Sequence, residues 1–594
     1  MAEAEAPNLD NIQGDIWPGL TKKYQIFWFF QITDASAFKL SLGKLLDDKV
    51  ITTSADALGH RKEIHEVKTS QPGTLHELAA VNIAFSFKGM QKLDKNKDRF
   101  VDDPFRKGME ADMVNEGRDK IEEWMDEFKA KNGGVDGVVL VCGTETKVRK
   151  TTKELAEKYF SSTQGIKHII TLDGRERPEE NAKHEHFGFL DAISQPRLTG
   201  FDKKCEKGDG NYQYMCRPGR IIIGHDGDMN NEPKSQHPPW AKDGSYLVIR
   251  KLKQYVPEFN RYLETEAPKL NFTEDQLGAR LVGRWKSGAP VELHPNADCP
   301  KDARMNEFNY DVNDHKNCPF ASHMRKTKPR SIVSNRDMND IMRRGIPYGP
   351  EVGINETNTE QDRGLMFTCY QSSIGNGFQF LKRSWINLDT FPADKTEYTG
   401  GTNPGQDAIV GQLVKKPQRE KHKRLTTSLV DGKGQNTTTS FLPFIQSNGG
   451  DYFFSPSLKL LEELGGNNKR KRSDSCCCGP SIVYSGKYET GIFGRNEVIW
   501  AVFPKGRREG APLHVLTTWT APVGKEKVPL SFLYNAIDSG DRTFATRGID
   551  KNGSHDYWFE GSVSEDGTGL GLRMSDSCGD ECARYVLSLV TEDT

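Results

Sequence analysis

The longest apolar stretch of the chain, Tyr24-Gln25-Ile26-Phe27-Trp28-Phe29-Phe30-Gln31-Ile32, sets the first limit on its fold. It is far shorter than the roughly 20 residues that a membrane-crossing helix needs. It therefore reads as a buried strand within 23–33, and a buried strand requires a core around it. Hydrophobic residues make up 35% of the 594 and charged residues 28%, enough for a sizeable core beneath a wet surface. The net charge of -1 offers no global attraction for nucleic acid or for an anionic membrane, so neither is expected as a partner.

Strand and helix patterns alternate after that first strand. Helices are predicted at 35–46, 117–131 (with Trp124 on the apolar side) and 149–161, and strands at 80–87, 137–142 and 166–172. This order predicts an α+β domain over 1–212 with helices on one face of a sheet. Gly208-Asp209-Gly210 reads as a loop leading to a second sheet domain over 213–465. Its predicted strands lie at 220–224, 245–251 and 364–370, and its helices at 255–264, 337–344 and 374–384. Residues 466–489, with Lys469-Arg470-Lys471-Arg472 and Cys476-Cys477-Cys478, read as a linker whose basic run is either a solvated loop, the commoner case, or a nuclear signal. Residues 490–594 read as short strands, a β-rich C-terminal extension without an assigned role.

The first residues, MAEAEAPNLD, show no basic region followed by an apolar stretch, so the chain as written reads as cytoplasmic. The eleven cysteines then read as free thiols. The sequons at Asn271, Asn355, Asn436 and Asn552 favour the alternative, a mature secreted form.

Three separated segments carry chemistry. In His186-Phe187-Gly188-Phe189-Leu190-Asp191-Ala192-Ile193-Ser194-Gln195-Pro196, a carboxylate sits inside an apolar run. It is either a turn residue or a functional acid. In Asn317-Cys318-Pro319-Phe320-Ala321-Ser322-His323-Met324-Arg325-Lys326, one histidine stands between an apolar and a basic patch, as a ligand for haem iron would. In Asp340-Ile341-Met342-Arg343-Arg344-Gly345-Ile346-Pro347-Tyr348, two arginines end a predicted helix that Gly345 can cap. Aspartate-rich runs at Asp94-Lys95-Asn96-Lys97-Asp98 and Asp226-Gly227-Asp228 lack the rest of a calcium loop.

Taken together, these segments resemble the dye-decolorizing peroxidase family over roughly residues 8–465. Asn11-Ile12-Gln13-Gly14-Asp15-Ile16 and Gln406-Asp407-Ala408-Ile409-Val410-Gly411-Gln412 extend the resemblance. It implies two ferredoxin-like domains with antiparallel sheets and helices, and a haem b held in the second near their interface. It further implies that hydrogen peroxide is reduced while bulky aromatic or phenolic compounds, dyes included, are oxidised. His323 is then the axial ligand of the iron and Asp407 the acceptor for its second ring nitrogen. Asp191 is the acid–base residue, and Arg343, with Arg344 as the fallback, stabilises charge beside it. An aspartate remains an available base in acid, which predicts an acidic pH optimum. Leu365 and Phe367 line the distal pocket, Arg330 pairs with a haem propionate, and Trp385 and Tyr348 relay electrons from substrates too large to enter. The family's GxxDG pattern reads here Gly188-Phe189-Leu190-Asp191-Ala192, with alanine replacing the last glycine. The rival readings are a haem carrier or a haem-iron-handling protein on the same fold; a carrier has no need of a base and a cation facing the iron.

Overall fold

The computed structural model describes residues 7–94, 99–115, 119–203, 215–228, 237–333, 337–412 and 424–466, together with the backbone of eight strands between 479 and 590. The chain forms two compact units, Met1–Asn467 and Asn468–Thr594.

The first unit is built on the order expected from the apolar runs. β1 (Tyr24–Ile32) leads to α1 (Ala35–Asp47), β2 (Ala79–Phe85), β3 (Gly137–Gly143), α2 (Glu145–Lys158) and β4 (Ile166–Arg175). These strands pair antiparallel in the order β4-β1-β3-β2, the ferredoxin-like arrangement. α1 starts where the Asp34 side chain accepts from the Ser36 and Ala37 amides, and its Phe38, Leu42 and Leu45 share one face. That face packs on the sheet, with the Phe38 ring 5.7 Å from that of Phe30. Truncating a buried phenylalanine such as Phe38 to alanine costs about 3–5 kcal/mol.

A second set repeats the pattern: β5 (Ser245–Gln254), α3 (Val256–Glu266), the short β6 (Met342–Arg343) and β7 (Ile346–Tyr348), β8 (Gly364–Gln371) and β9 (Ile445–Ser455). β9 pairs with β5, β5 with β8, and β8 with both β6 and β7. The two sets join where Phe454 of β9 meets Phe85 of β2, giving one 9-stranded sheet. Its two ends also approach each other. A Cβ added to Gly174 of β4 would lie 2.3 Å from Ile346 Cγ2 of β7, so only glycine permits that contact.

The eight strands of the second unit, from Gly479–Gly491 to Glu581–Val590, close into an antiparallel barrel. Its first strand begins at Gly479, inside the 466–489 stretch read from the sequence as linker. The glycine, proline and cysteines ahead of Ile482-Val483-Tyr484 hide the onset of a β-prone run. The Lys469–Arg472 run, Cys476–Cys478 and the Gly208–Gly210 loop lie outside the described residues.

Three local expectations fail. The helix at 117–131 is replaced by short 3-10 turns at Ile121–Glu123, Asp126–Phe128 and Ala130–Asn132. Buried Trp124 and Phe128 pin this stretch to the sheet, where the Phe128 ring stands edge-on to Phe29 at 5.1 Å and Met125 N bonds Asn448 O. Ile221, Ile222 and Ile223 are fully buried but follow a 3-10 turn rather than forming a strand. The helix at 337–344 is absent, because Met342 and Arg343 pair with Tyr370 and Cys369 of β8. Two-residue strands carry no readable period.

Candidate active site

One cavity of about 870 Å³ lies in the first unit, and Asp191, His323, Arg330, Arg343, Leu365 and Phe367 all line it. The segment bearing Asp191 is held by Glu185, whose carboxylate accepts from the Phe187 and Phe189 amides at 2.9 Å each and from Gln254 Nε2 at 2.6 Å. Burial pushes the Glu185 carboxyl up, against the lowering effect of these donors. Phe187 and Phe189 turn into a core with Phe259 of α3, their rings 4.6 and 6.5 Å from it. Asp191, two residues beyond Phe189, lines the cavity together with both rings.

Asp191 Oδ1 is engaged twice, by Arg343 Nη1 at 3.0 Å and by the Ala192 amide at 2.6 Å. Among the described residues Oδ2 has no such partner. Ala192 sits at φ +57°, a conformation that costs a residue with a side chain about 1–2 kcal/mol. The family's glycine would adopt it freely, so the alanine carries strain at the turn that aims Asp191.

Arg343 is fixed from two directions. Its Nη2 donates to Ser194 O at 3.1 Å. Its backbone is gripped by the carboxamide of Gln195, which accepts from Arg343 N at 3.1 Å and donates to Arg343 O at 3.0 Å. Arg344 points the other way. It is spent on the Asp15, Ile16 and Pro18 carbonyls at 2.9–3.1 Å, and burial lowers its pKa. Of the two arginines, only Arg343 faces the cavity. Both lie on or beside β6, not at a helix end, and Gly345 caps no helix.

His323 opens the short helix His323–Thr327. Its Nδ1 lies 2.8 Å from Asp407 Oδ2, and Asp407 Oδ1 accepts from the Ile409 and Val410 amides at 2.9 Å each. Asp407 Oδ1 is taken up by these two amides and Oδ2 faces His323 Nδ1 as its acceptor, so Nδ1 is assigned the hydrogen and Nε2 keeps its electron pair. Burial alone would lower the His323 pKa, but the Asp407 carboxylate outweighs it and the pKa is raised. Asp191 and Arg343 also act on His323 electrostatically, so the two pairs share one site. Though set deep in the protein, the His323 side chain keeps 30% exposure because it faces the cavity.

Leu365 and Phe367 alternate with buried Met366 on β8, which turns them to the cavity. Arg330 donates through Nη1 to Asn306 O and Phe308 O at 2.9 and 2.8 Å and lies 3.9 Å over the Phe308 ring. Its buried Nε has no partner among the described residues, as expected where an anion is to be bound. Volume, a free imidazole nitrogen and an unpaired guanidinium NH thus fit a haem. Trp385 and Tyr348 are buried and do not line this cavity. Trp385 stacks on Phe391 at 5.2 Å and precedes the cavity-lining Ile386, and Tyr348 donates to Asp362 at 3.0 Å.

The sequence reading did not single out Glu185, Gln195 or Arg284. Arg284 also lines the cavity and ties Gly288 O, Met305 O and Asn306 Oδ1 together at 2.6–3.0 Å. Glu185 and Arg284 bond nearby backbone and Gln195 the backbone of remote Arg343, and none of these bonds makes a recognisable residue spacing. Only the position of Gln195 in the Asp191 segment could have drawn notice.

Residues 11–178 match the family described as DyP dimeric alpha+beta barrel domain, and residues 224–401 match Dyp-type peroxidase, C-terminal. Peroxidase 2 of Mycetinis scorodonius is 36% identical over 474 residues, which are 77% of this chain and 87% of that protein. A solved ancestral D-type dye decolorizing peroxidase superposes with a TM-score of 0.69 at 41% identity, covering 77% of this chain and 99% of its own. A dye-decolorizing peroxidase solved in complex with 2,6-dimethoxyphenol gives 0.65 at 36% identity, covering 77% of this chain and 100% of its own.

Proposed function

We propose, from the premise that this chain belongs to the dye-decolorizing peroxidase family, that Asp191 and Arg343 carry its peroxide chemistry and that His323, backed by Asp407, holds a haem b. The chain is a haem peroxidase acting on dyes and phenolic compounds. The observation that carries the assignment of roles is the pair of contacts facing one cavity, Asp191 to Arg343 at 3.0 Å and His323 to Asp407 at 2.8 Å.

The bound haem supplies the redox equivalents, two electrons to peroxide that aromatic donors replace. Asp191 moves the proton. Its Oδ2 takes a proton from one peroxide oxygen and delivers it to the other, which leaves as water as the oxygen–oxygen bond breaks; the first oxygen ends as a second water, with the two electrons and two protons that the phenolic donors give up. Oδ1, held by Arg343 and Ala192, keeps the carboxylate aimed while this happens. The Arg343 guanidinium stabilises the negative charge that grows as the oxygen–oxygen bond lengthens. Asp407 accepts from His323 Nδ1 and makes the ring a stronger donor through Nε2. Arg330 offers its unpaired Nε to a haem propionate. Leu365 and Phe367 keep the approach apolar and limit water. Trp385 and Tyr348 serve bulky dyes from outside the cavity, Tyr348 with Asp362 as acceptor for its phenolic proton.

Steady-state oxidation of 2,6-dimethoxyphenol with hydrogen peroxide tests these roles. Asp191→Asn should lower turnover by about 10²–10⁴-fold with the haem content unchanged. Turnover close to that of the unsubstituted protein would remove Asp191 from the proton-transfer role.

A further inference from the structure

The geometry points to a divalent-cation site, fit for zinc, formed by His294, Cys299 and Asp302 on the loop behind the wall that carries Asp191. His294 Nε2 lies 2.7 Å from Asp302 Oδ2, Cys299 Sγ lies 3.8 Å from that same oxygen, and the three donor atoms fall within 4.8 Å of one another.

Local structure explains why they converge. Pro300 starts the 3-10 turn Pro300–Asp302, closed by Asp302 N bonding Cys299 O at 2.8 Å. In such a turn, residues three apart eclipse, which sets Cys299 and Asp302 on one side. His294 is delivered to them by its own anchors. Its carbonyl accepts from Trp285 Nε1 at 2.8 Å and its amide donates to Pro290 O at 3.1 Å. A histidine–aspartate pair alone would staple this loop. The thiol directed at the same carboxylate oxygen completes a nitrogen, sulfur and oxygen donor set, the mixed set that zinc takes.

The spacing also suits the ion. Tetrahedral zinc with bonds of about 2.0–2.3 Å sets its sulfur and oxygen ligands ~3.6 Å apart and its nitrogen and oxygen ligands ~3.3 Å apart. The Cys299–Asp302 distance is already near that value, and the His294–Asp302 contact has to open only by a side-chain rotation. Three protein donors leave the fourth position to water. On binding, the Cys299 thiol gives up its proton to solvent and bonds the metal as thiolate. All three side chains are half-buried, so the ion has a path in.

The site backs the catalytic wall. Ala303, next to Asp302, packs against Gly288, where a Cβ would meet Ala303 O at 2.5 Å, Ile193 Cδ1 at 2.6 Å and Leu190 Cδ2 at 3.0 Å. Leu190 and Ile193 flank Asp191, so a bound ion braces the loop on which they rest.

Alkylation of Cys299 in the full-length, haem-loaded protein, read by peptide mass spectrometry with and without Zn²⁺, tests the site. Buried Cys142, Cys216, Cys318 and Cys369 serve as unreactive internal controls. Zn²⁺ should slow alkylation of Cys299 by about tenfold or more. His294→Ala and Asp302→Asn should each abolish that protection while leaving the Soret band unchanged. Absence of protection in the unsubstituted protein, or protection that survives both substitutions, would overturn the assignment.

Discussion

At the scale of single residues, the site depends on which way a few side chains turn. Arg343 and Arg344 are neighbours with identical chemistry. One reaches Asp191 and the other is consumed by three backbone carbonyls of the N-terminal segment. His186 shows the same dependence on surroundings. It is buried and its Nε2 donates to Tyr348 O at 2.8 Å. Burial, helped by the Arg177 charge, pushes its pKa down to about 4. A histidine whose folded pKa is depressed contributes stability that is fully present above its unfolded pKa near 6.5 and is lost as pH falls toward the folded value. Between pH about 6.5 and 4 the native state should therefore lose on the order of 3 kcal/mol from this group. His186→Gln keeps a donor for Tyr348 O but does not titrate. Denaturant melts across that window should show a flatter acid limb for His186→Gln; an unchanged slope would assign the acid sensitivity to other groups.

At the scale of elements, the polar grip of Gln195 on Arg343 joins the Asp191 segment to β6. Both bonds go to backbone, as a strand neighbour's would. Gln195→Leu removes both and leaves a half-buried amide and carbonyl without that partner, a cost of at most about 1 kcal/mol each once solvent reaches them. Steady-state kinetics should show kcat/KM for hydrogen peroxide falling about tenfold or more through loss of Arg343 alignment, with the haem spectrum intact. An unchanged kcat/KM would mean that β8 alone positions Arg343. The sequence made much of this scale legible. Long apolar runs such as Tyr24–Ile32 gave the central strands, and α1 followed from its periodic face. The stretch around Trp124 misled because its apolar residues anchor turns to the sheet rather than one face of a helix. The 337–344 stretch misled because a two-residue strand has no period. At the site, Asp191 stood out as a lone acid among apolar residues. Asp407, far from His323 in sequence, was reached only through the family resemblance, since nothing local marks it as a histidine partner.

At the scale of the whole molecule, the peroxidase occupies the first compact unit. Among the described residues, those lining the cavity lie between Glu185 and Ser447, and both family matches end by residue 401. A chain ending at Asn467 should take up haem and oxidise 2,6-dimethoxyphenol with an unchanged kcat. A loss of haem uptake on truncation would show that the barrel unit supports the cavity. The central claim is that His323 and Asp407 hold the haem while Asp191 and Arg343 handle peroxide. Its most direct test is the absorption spectrum of the haem-loaded protein before and after one equivalent of hydrogen peroxide. The account predicts a Soret band that changes at once in the unsubstituted protein and in Arg344→Leu, slowly in Asp191→Asn and Arg343→Leu, and is lost or shifted before peroxide in His323→Ala. A Soret band that responds equally fast in Asp191→Asn and Arg343→Leu, or that His323→Ala leaves unaltered, would contradict it.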